Sequence, residues 1–329
     1  MTQRWLSCVL TLAVLNACTV GPDYTRPDVA TPQAFRFSVS SENGNANVAW
    51  WAKFGDQTLV NLIDQALANN WDLKTAAAQV DQAAAALVRT NSQLMPSLDY
   101  GATVERDRVS EVGGLKPGET NPASAINPYI GAGWQLDLWG RVRRESEAAN
   151  ARLVGAEEAR RGVILTLVAA VATTYLQLRA LDAQLAIAQE SLSDYDTQLT
   201  LFKERYSYGQ ISEVTLSQMQ AQYETAAAVI PRVDEQISKT ENALSLLTGT
   251  APRAIPRGKS FDAIRLIGVP SGLPSDLLTR RPDVAQAEQN LIAANANIGA
   301  AEALYFPRLS LTGQAGTTSN AMNTLLTKP

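Results

Sequence analysis

Pro96–Asp107, PSLDYGATVERD, and Tyr129–Leu138, YIGAGWQLDL, decide how the rest of the chain is read. In the first, Leu98, Tyr100, Ala102 and Val104 share one parity, and Asp99, Gly101, Thr103, Glu105 and Asp107 the other. In the second, Ile130, Ala132, Trp134, Leu136 and Leu138 alternate with Tyr129, Gly131, Gly133, Gln135 and Asp137. Successive strand side chains point to opposite faces, so each stretch predicts a strand with one apolar and one polar face. A half-buried sheet in a water-soluble protein and a membrane barrel give the same pattern, and the alternation alone leaves both open. Each stretch has the roughly 9 to 11 residues that a tilted barrel strand needs. The loop between them, with Gly113, Gly114, Pro117, Gly118 and Pro122, is too long for a tight hairpin and suits the external side of a barrel.

Long helices flank these strands. Asp56 is placed to cap a helix from about Gln57 to Leu94, Ala-rich in its middle and stopped by Pro96. After Gly140 a helix is predicted from Arg141 to about Tyr206, near 100 Å at about 1.5 Å per residue. Its apolar positions Ile164, Leu167, Val171, Thr174, Leu178, Leu181, Leu185, Ala188, Leu192, Tyr195, Leu199, Phe202 and Tyr206 alternate by three and four, a coiled-coil seam. Residues 162–178 carry no charge, yet their Thr and Ala content and the flanking heptads indicate burial against other helices rather than a membrane span. Gly209 suits the left-handed position past a helix end, and Ser212 suits the next N-cap. The returning helix repeats the spacing at Leu216, Met219, Tyr223, Ala226, Ile230, Val233, Ile237, Thr240, Leu244 and Leu247, so the two seams predict an antiparallel hairpin. Pro231 is expected to bend it.

The last stretch resembles the first. Asp283–Ala315 aligns without a gap on Asp72–Val104, with Asp72, Pro96 and Leu98 matched by Asp283, Pro307 and Leu309. Identities are few, so chance stays open; the shared order of Ala-rich helix, Pro and alternation at Leu309 and Leu311 carries the reading of a tandem duplication.

The N-terminus has Arg4 and an apolar run, Trp5–Leu15, too short to span a bilayer and suited to a secretory signal. Leu15-Asn16-Ala17-Cys18 resembles a lipobox, on which reading Cys18 carries diacylglycerol and palmitate; an ordinary cleaved signal beside a chance Cys is the alternative. Net charge is −4, and 27 basic against 32 acidic residues, −5, once Arg4 leaves with the signal; nothing suggests a nucleic-acid partner. No His is present among the 329 residues, which excludes His-dependent triads and the usual zinc sites; no metal or catalytic residue is expected. The chain from Thr19 to Trp50 reads as a tether, with Trp50, Trp51 and Phe54 as a packing anchor.

Several stretches together resemble the TolC-like outer-membrane efflux channels, in particular their NodT-like lipoprotein branch serving resistance-nodulation-division pumps. They are Cys18–Tyr24 (CTVGPDY) with Arg26-Pro27, Trp50-Trp51 with Phe54, Trp134–Arg141 (WQLDLWGR), Leu246–Gly249 (LLTG), Gly272–Val284 (GLPSDLLTRRPDV) and Phe306–Gly313 (FPRLSLTG). The resemblance implies an α+β membrane protein in which long coiled-coil helical hairpins form a periplasmic tunnel and transmembrane strands join a trimeric 12-stranded barrel. The expected division is a signal peptide (1–17), lipid-anchored tether (18–50), first tunnel helix (51–95), two barrel strands with their loop (96–138), long hairpin (139–249), irregular equatorial segment (250–274), second-repeat helix (275–306) and third strand (307–329).

On this resemblance Leu98, Tyr100, Val104, Ile130, Trp134, Leu136, Leu309 and Leu311 face lipid. Tyr206, Gly209, Ser212, Glu213 and Thr215 form the periplasmic tip, where such channels are gated and meet their adaptor. Relatives commonly carry an acid at the position of Thr215, so a different gate is expected here. The implied function is a passive exit duct for small molecules, a homotrimer in the outer membrane of a Gram-negative bacterium, partnered by a periplasmic adaptor and an inner-membrane pump. Relatives continue with a fourth strand and second hairpin, so the chain as it stands is expected not to conduct alone. A competing reading is a periplasmic adaptor or structural lipoprotein using the same hairpin, although adaptors flank it with soluble β domains. A hydrolase using Glu157 and Glu158 is disfavoured, because adjacent helix positions point about 100° apart.

Overall fold

The computed structural model describes residues 19–32, 49–110, 112, 121–265 and 274–325. The expected signal peptide, Cys18, tether residues 33–48, Gly113, Gly114, Pro117 and Gly118 of the strand loop, and Gly268, Pro270 and Gly272 lie outside them. In chain order the elements are a 3-10 turn Trp50–Phe54, helices α1 (Gln57–Asn69) and α2 (Trp71–Ser92), and strands β1 (Ser97–Asp107) and β2 (Ala123–Leu136). Helices α3 (Arg141–Ser207), α4 (Glu213–Ala227) and α5 (Val229–Leu247) follow, then a single helical turn Leu277–Arg280, helix α6 (Pro282–Glu302) and strand β3 (Leu309–Gly316).

Boundaries differ from the sequence reading in four places. The helix expected over 275–306 is a single turn, Leu277–Arg280, and α6, separated at Arg281, which is extended as the residue before Pro282 must be. The helix expected from Gln57 to Leu94 is two helices, because Asn70 takes an extended conformation and turns its side chain to capping: its Oδ1 accepts from the Leu73 amide at 3.0 Å, and its Nδ2 donates to the Leu247 carbonyl at 3.0 Å. Asn favours such local bonds over a helix interior. The returning arm of the hairpin is likewise divided, at Ala228. Pro231 lacks an N–H and its ring crowds the carbonyl four residues back, at Ala227, which ends α4. Strand β2 begins at Ala123 and stops at Leu136, so Asp137 and Leu138 fall outside it. Asp137 is used instead as a helix cap, its carboxylate accepting from the amides of Val142 at 3.1 Å and Arg143 at 2.9 Å.

Two compact units divide the chain. One comprises residues 1–28, 81–155 and 286–329. It holds an antiparallel sheet of order β1-β2-β3, so β1 and β3 flank β2 and run parallel to each other. Pro128 cannot donate to the ladder; β3 ends one position short of it, with Gly316 opposite Tyr129, and beyond that point the Thr317 amide donates to the Pro128 carbonyl at 3.2 Å and Ile126 bridges Ser319. Pro96 and Pro307 each separate a helix, α2 or α6, from the strand that follows, and Leu98 and Leu309 fall on the same sheet face. That is the repeated unit seen in the sequence. Helices α3 and α6 approach through Ala148, Ala151, Ala293 and Ala296, all buried, whose small side chains permit close packing.

The other unit comprises residues 29–80 and 156–285. Its core gathers Leu59, Leu62 and Ile63 from α1, Leu167, Val171, Tyr175 and Leu178 from α3, Leu244 from α5 and Ile255 from the irregular segment. Trp50, Trp51 and Phe54 pack against it, with Trp50 edge-on to both rings. Asp56 caps α1 and is itself buried; its carboxylate accepts from the amides of Thr58 at 2.9 Å and Lys259 at 3.0 Å and from the Tyr175 hydroxyl at 2.8 Å. Arg257 ties Asp182 on α3 to Glu241 on α5, so the irregular segment clamps both arms of the hairpin.

Candidate functional site

The sheet register sorts the strand residues into two chemically distinct faces. Directly paired residues point the same way, and Leu98 pairs with Ala132, Tyr100 with Ile130, Val104 with Ile126, Leu311 with Trp134 and Leu309 with Leu136. All eight residues expected to face lipid therefore share one face. It is open to the surroundings: Leu98 is 78%, Tyr100 89% and Val104 74% exposed. A contiguous exposed apolar surface of this kind marks contact with a membrane or a partner. The opposite face carries Asp99, Thr103, Glu105, Asp107, Asn127, Tyr129, Gln135, Ser310, Thr312 and Gln314.

Glycines let the polar face lie flat. A Cβ on Gly131 would come within 2.5 Å of Asp99 Oδ1, and one on Gly101 within 2.8 Å of the Tyr129 ring. Asp99, Tyr129, Thr312 and Gln314 thereby line an open hollow of about 410 Å³. At the helix end of the sheet, Trp134 Nε1 donates to the Leu94 carbonyl at 3.0 Å, and Trp139 stacks on Phe306 at 4.7 Å while donating to the Pro307 carbonyl. These contacts fix the strands to the helices that precede and follow them.

The hairpin turn brings together the five residues expected at the tip. Tyr206 lies in the last turn of α3, and Gly209 holds φ at +69°, a conformation that a side chain disfavours. Ser212 caps α4, accepting from the Thr215 amide at 3.2 Å, with the two hydroxyls 2.9 Å apart. Glu213 stands in the first helical turn, where its charge complements the helix dipole. Thr215 is thus engaged in the cap. Farther along the arms, Tyr195, Ala221, Gln222, Thr225, Ala226 and Val229 border a shallow groove of about 350 Å³ beside the break at Ala228.

Sequence reasoning gives the segment after Cys18 as a tether but not the side chains that hold it. Arg144, 5% exposed, donates to the carbonyls of Val20 and Gly21 and to Asp23 Oδ1 at 2.7 Å, and also to Glu147. Its hydrogen bonds to Asp23 and Glu147 hold its pKa above the ordinary arginine value. Gly21 passes so close to Gly299 that a Cβ would fall 2.3 Å from the Gly299 Cα, and Arg26 pairs with Glu288 at 2.7 Å. The signal was present as CTVGPDY and the Gly299 interruption of an Ala-rich helix. Nothing in either names the other.

No group of three or more His, Cys, Asp or Glu side chains able to hold a metal occurs among the described residues. Glu158 is ion-paired with Arg161 rather than coupled to Glu157.

The sequence matches the family described as "Outer membrane efflux protein" over residues 62–250 and 273–328. It is 34% identical over 333 residues to the probable efflux pump outer membrane protein TtgC of Pseudomonas putida, covering 99% of this chain and 69% of that protein. It is 33% identical over 317 residues to the cation efflux system protein CusC of Escherichia coli K12, covering 94% of this chain and 68% of that protein. A crystal structure of CusC, reported for its folding and transmembrane channel formation, superposes with a TM-score of 0.81 at 31% identity over 94% of this chain and 70% of that one.

Proposed function

Because this chain belongs to the outer membrane efflux protein family, we propose that it is the outer-membrane duct of a tripartite efflux system, a passive exit path for small molecules. The observation that carries this reading is the two-faced sheet. In water, the exposed stripe of Leu98, Tyr100, Val104, Ile130, Trp134, Leu136, Leu309 and Leu311 is costly, at about 25 cal/mol for each Å² of apolar surface. Against hydrocarbon that cost disappears, while the acidic and amide-bearing face lines water.

The reading extends to assembly. The outer edges of β1 and β3 have no strand partner among the described residues. Unpaired backbone groups in hydrocarbon cost several kcal/mol each, so these edges require strands from neighbouring copies or from further strands, as in a closed homotrimeric barrel. Acyl chains on Cys18, diacylglycerol and palmitate, would anchor the strap at Thr19–Arg26 to the same membrane. The tip formed by Tyr206, Gly209, Ser212, Glu213 and Thr215 is the proposed gate and contact for a periplasmic adaptor, which couples the duct to an inner-membrane resistance-nodulation-division pump. With Thr215 tied into the α4 cap, Glu213 is the one charged side chain among these five residues. No step of the transport requires chemistry by this chain: it lowers the barrier to crossing the membrane by replacing hydrocarbon with a hydrated polar wall.

Brominated phospholipids test the orientation. Reconstituted protein is expected to show quenching of tryptophan fluorescence that drops in Trp134→Phe. Equal quenching in the two proteins contradicts a lipid-facing Trp134.

A further inference from the structure

Arg106 shares the parity of the apolar stripe. It pairs with Ser124 as Val104 pairs with Ile126, and so stands on the same face as Leu98, Tyr100 and Val104. Its sequence neighbours Glu105 and Asp107 have the opposite parity and belong to the polar face. Arg106 and Ser124 are both exposed, and among the described residues no carboxylate pairs with the guanidinium. Arg106 is also the one cation that β1, β2 and β3 present on this face.

Its height on the sheet follows from the topology of this unit. Helices α2, α3 and α6 all join the sheet at the end marked by Ser97, Leu136 and Leu309, and Arg106 lies at the other end. It is eight positions beyond Leu98, about 27 Å along a strand rising about 3.4 Å per residue, and at a barrel tilt of about 40° this is about 21 Å of height, which takes Arg106 to the margin of the band when Leu98 lies inside its lower edge. A barrel's apolar band is about 25 Å tall. An arginine on a lipid-facing strand is costly at the bilayer midplane and nearly free at the interface, so this height is where the lipid face tolerates one.

We propose that Arg106 and Ser124 bind the phosphate of an anionic lipid in the outer leaflet, with its acyl chains lying over Val104, Ile126, Tyr100 and Ile130. The proposal rests on the lipid-facing reading of this sheet face. A guanidinium offers a planar fork of donors that matches two phosphate oxygens, which an ammonium group cannot reproduce. The serine hydroxyl directly across can donate to the third. Below them the branched and aromatic side chains supply the apolar half of an amphiphile's site, so headgroup and chain are recognised in the order a lipid presents them.

The test uses the purified chain in phosphatidylcholine nanodiscs containing diphosphoryl lipid A or its dephosphorylated form, with retained glycolipid counted by native mass spectrometry. The wild-type chain is expected to retain the phosphorylated form preferentially, Arg106→Ala about fivefold less of it, and Arg106→Lys an intermediate amount; excess inorganic phosphate is expected not to displace it. Equal retention by wild type and Arg106→Ala, or equal retention of the two glycolipids, overturns the proposal. Brominated-lipid quenching of Trp134 in the same samples separates the failures. Quenching with no effect of Arg106 removes the phosphate site alone, and absence of quenching removes both the site and the lipid-facing reading.

Discussion

The hydroxyl of Tyr175, fully buried on α3, donates to the carboxylate of Asp56 at 2.8 Å and accepts from the Gly258 amide at 3.0 Å. Three segments distant in sequence are thus joined at one oxygen. Burial, reinforced by the Asp56 hydrogen bond, pushes the Tyr175 pKa up from 10.0 to about 12. Between these values the unfolded chain has lost the proton and the folded chain retains it, so unfolding releases a proton and stability falls as pH rises. The loss is at most about 1.4 kcal/mol per pH unit in that window, and this group contributes no pH dependence below it. Tyr175→Phe is expected to cost about 1.5–3 kcal/mol at neutral pH and to flatten the alkaline decline. Urea titrations of both proteins from pH 8 to 12 check this; parallel declines contradict it.

Gly258 sits against the same carboxylate. A Cβ there would fall 2.1 Å from Asp56 Oδ1, and that oxygen is held by the Thr58 amide and cannot swing away freely. Gly258→Ala is expected to destabilise the unit by about 1–3 kcal/mol. Hydrogen exchange at the Lys259 amide, which donates to Asp56, should accelerate in step with that loss.

Arg144 is the bolt of the N-terminal strap. Arg144→Ala removes its bonds to Val20, Gly21 and Asp23 together. Asp23 is itself exposed, which screens the ion pair, so the expected loss is about 1–2 kcal/mol. Limited proteolysis within Thr19–Arg26 should quicken several-fold while cleavage elsewhere keeps its rate.

At the hairpin turn, Ser212→Ala removes the α4 cap and is expected to cost about 1 kcal/mol. Because the loss is confined to the first turn of α4, exchange of the Thr215 amide should rise while the core around Tyr175 stays protected. Uniform acceleration across the unit contradicts a local cap.

Regular periodicity made most of the architecture legible in the sequence. Alternation placed β1 and the second half of β2, because side-chain parity is a local property of the backbone, but Ala123–Pro128, the first six residues of β2, carry no clean alternation and lie outside the stretch it marked. The register that puts Leu309 beside Leu136 and Arg106 beside Ser124 depends on how strands pair, which no single strand reveals. Heptad spacing gives the hairpin, yet Tyr175 falls one residue off the seam, and its burial comes from α1 and the irregular segment rather than the opposing arm. Asn70 breaks a helix that apolar spacing alone carries through, whereas the break at Ala228 falls just before Pro231, where a bend is expected. Both breaks rest on backbone chemistry, a side-chain cap in one case and a missing amide in the other. Contacts such as Gly21 with Gly299 and Arg144 with Asp23 join parts of the chain that carry no shared pattern, so only the folded structure could show them.

Site-directed spin labelling along β1 tests the two-faced sheet most directly. Labels placed one at a time at positions 98 to 105 in the membrane-reconstituted protein should alternate in accessibility. Positions 98, 100, 102 and 104 should be relaxed by oxygen dissolved in lipid, and 99, 101, 103 and 105 by a water-soluble nickel chelate. Alternation of this phase is the predicted result, and a flat or inverted profile contradicts the assignment of this face to lipid.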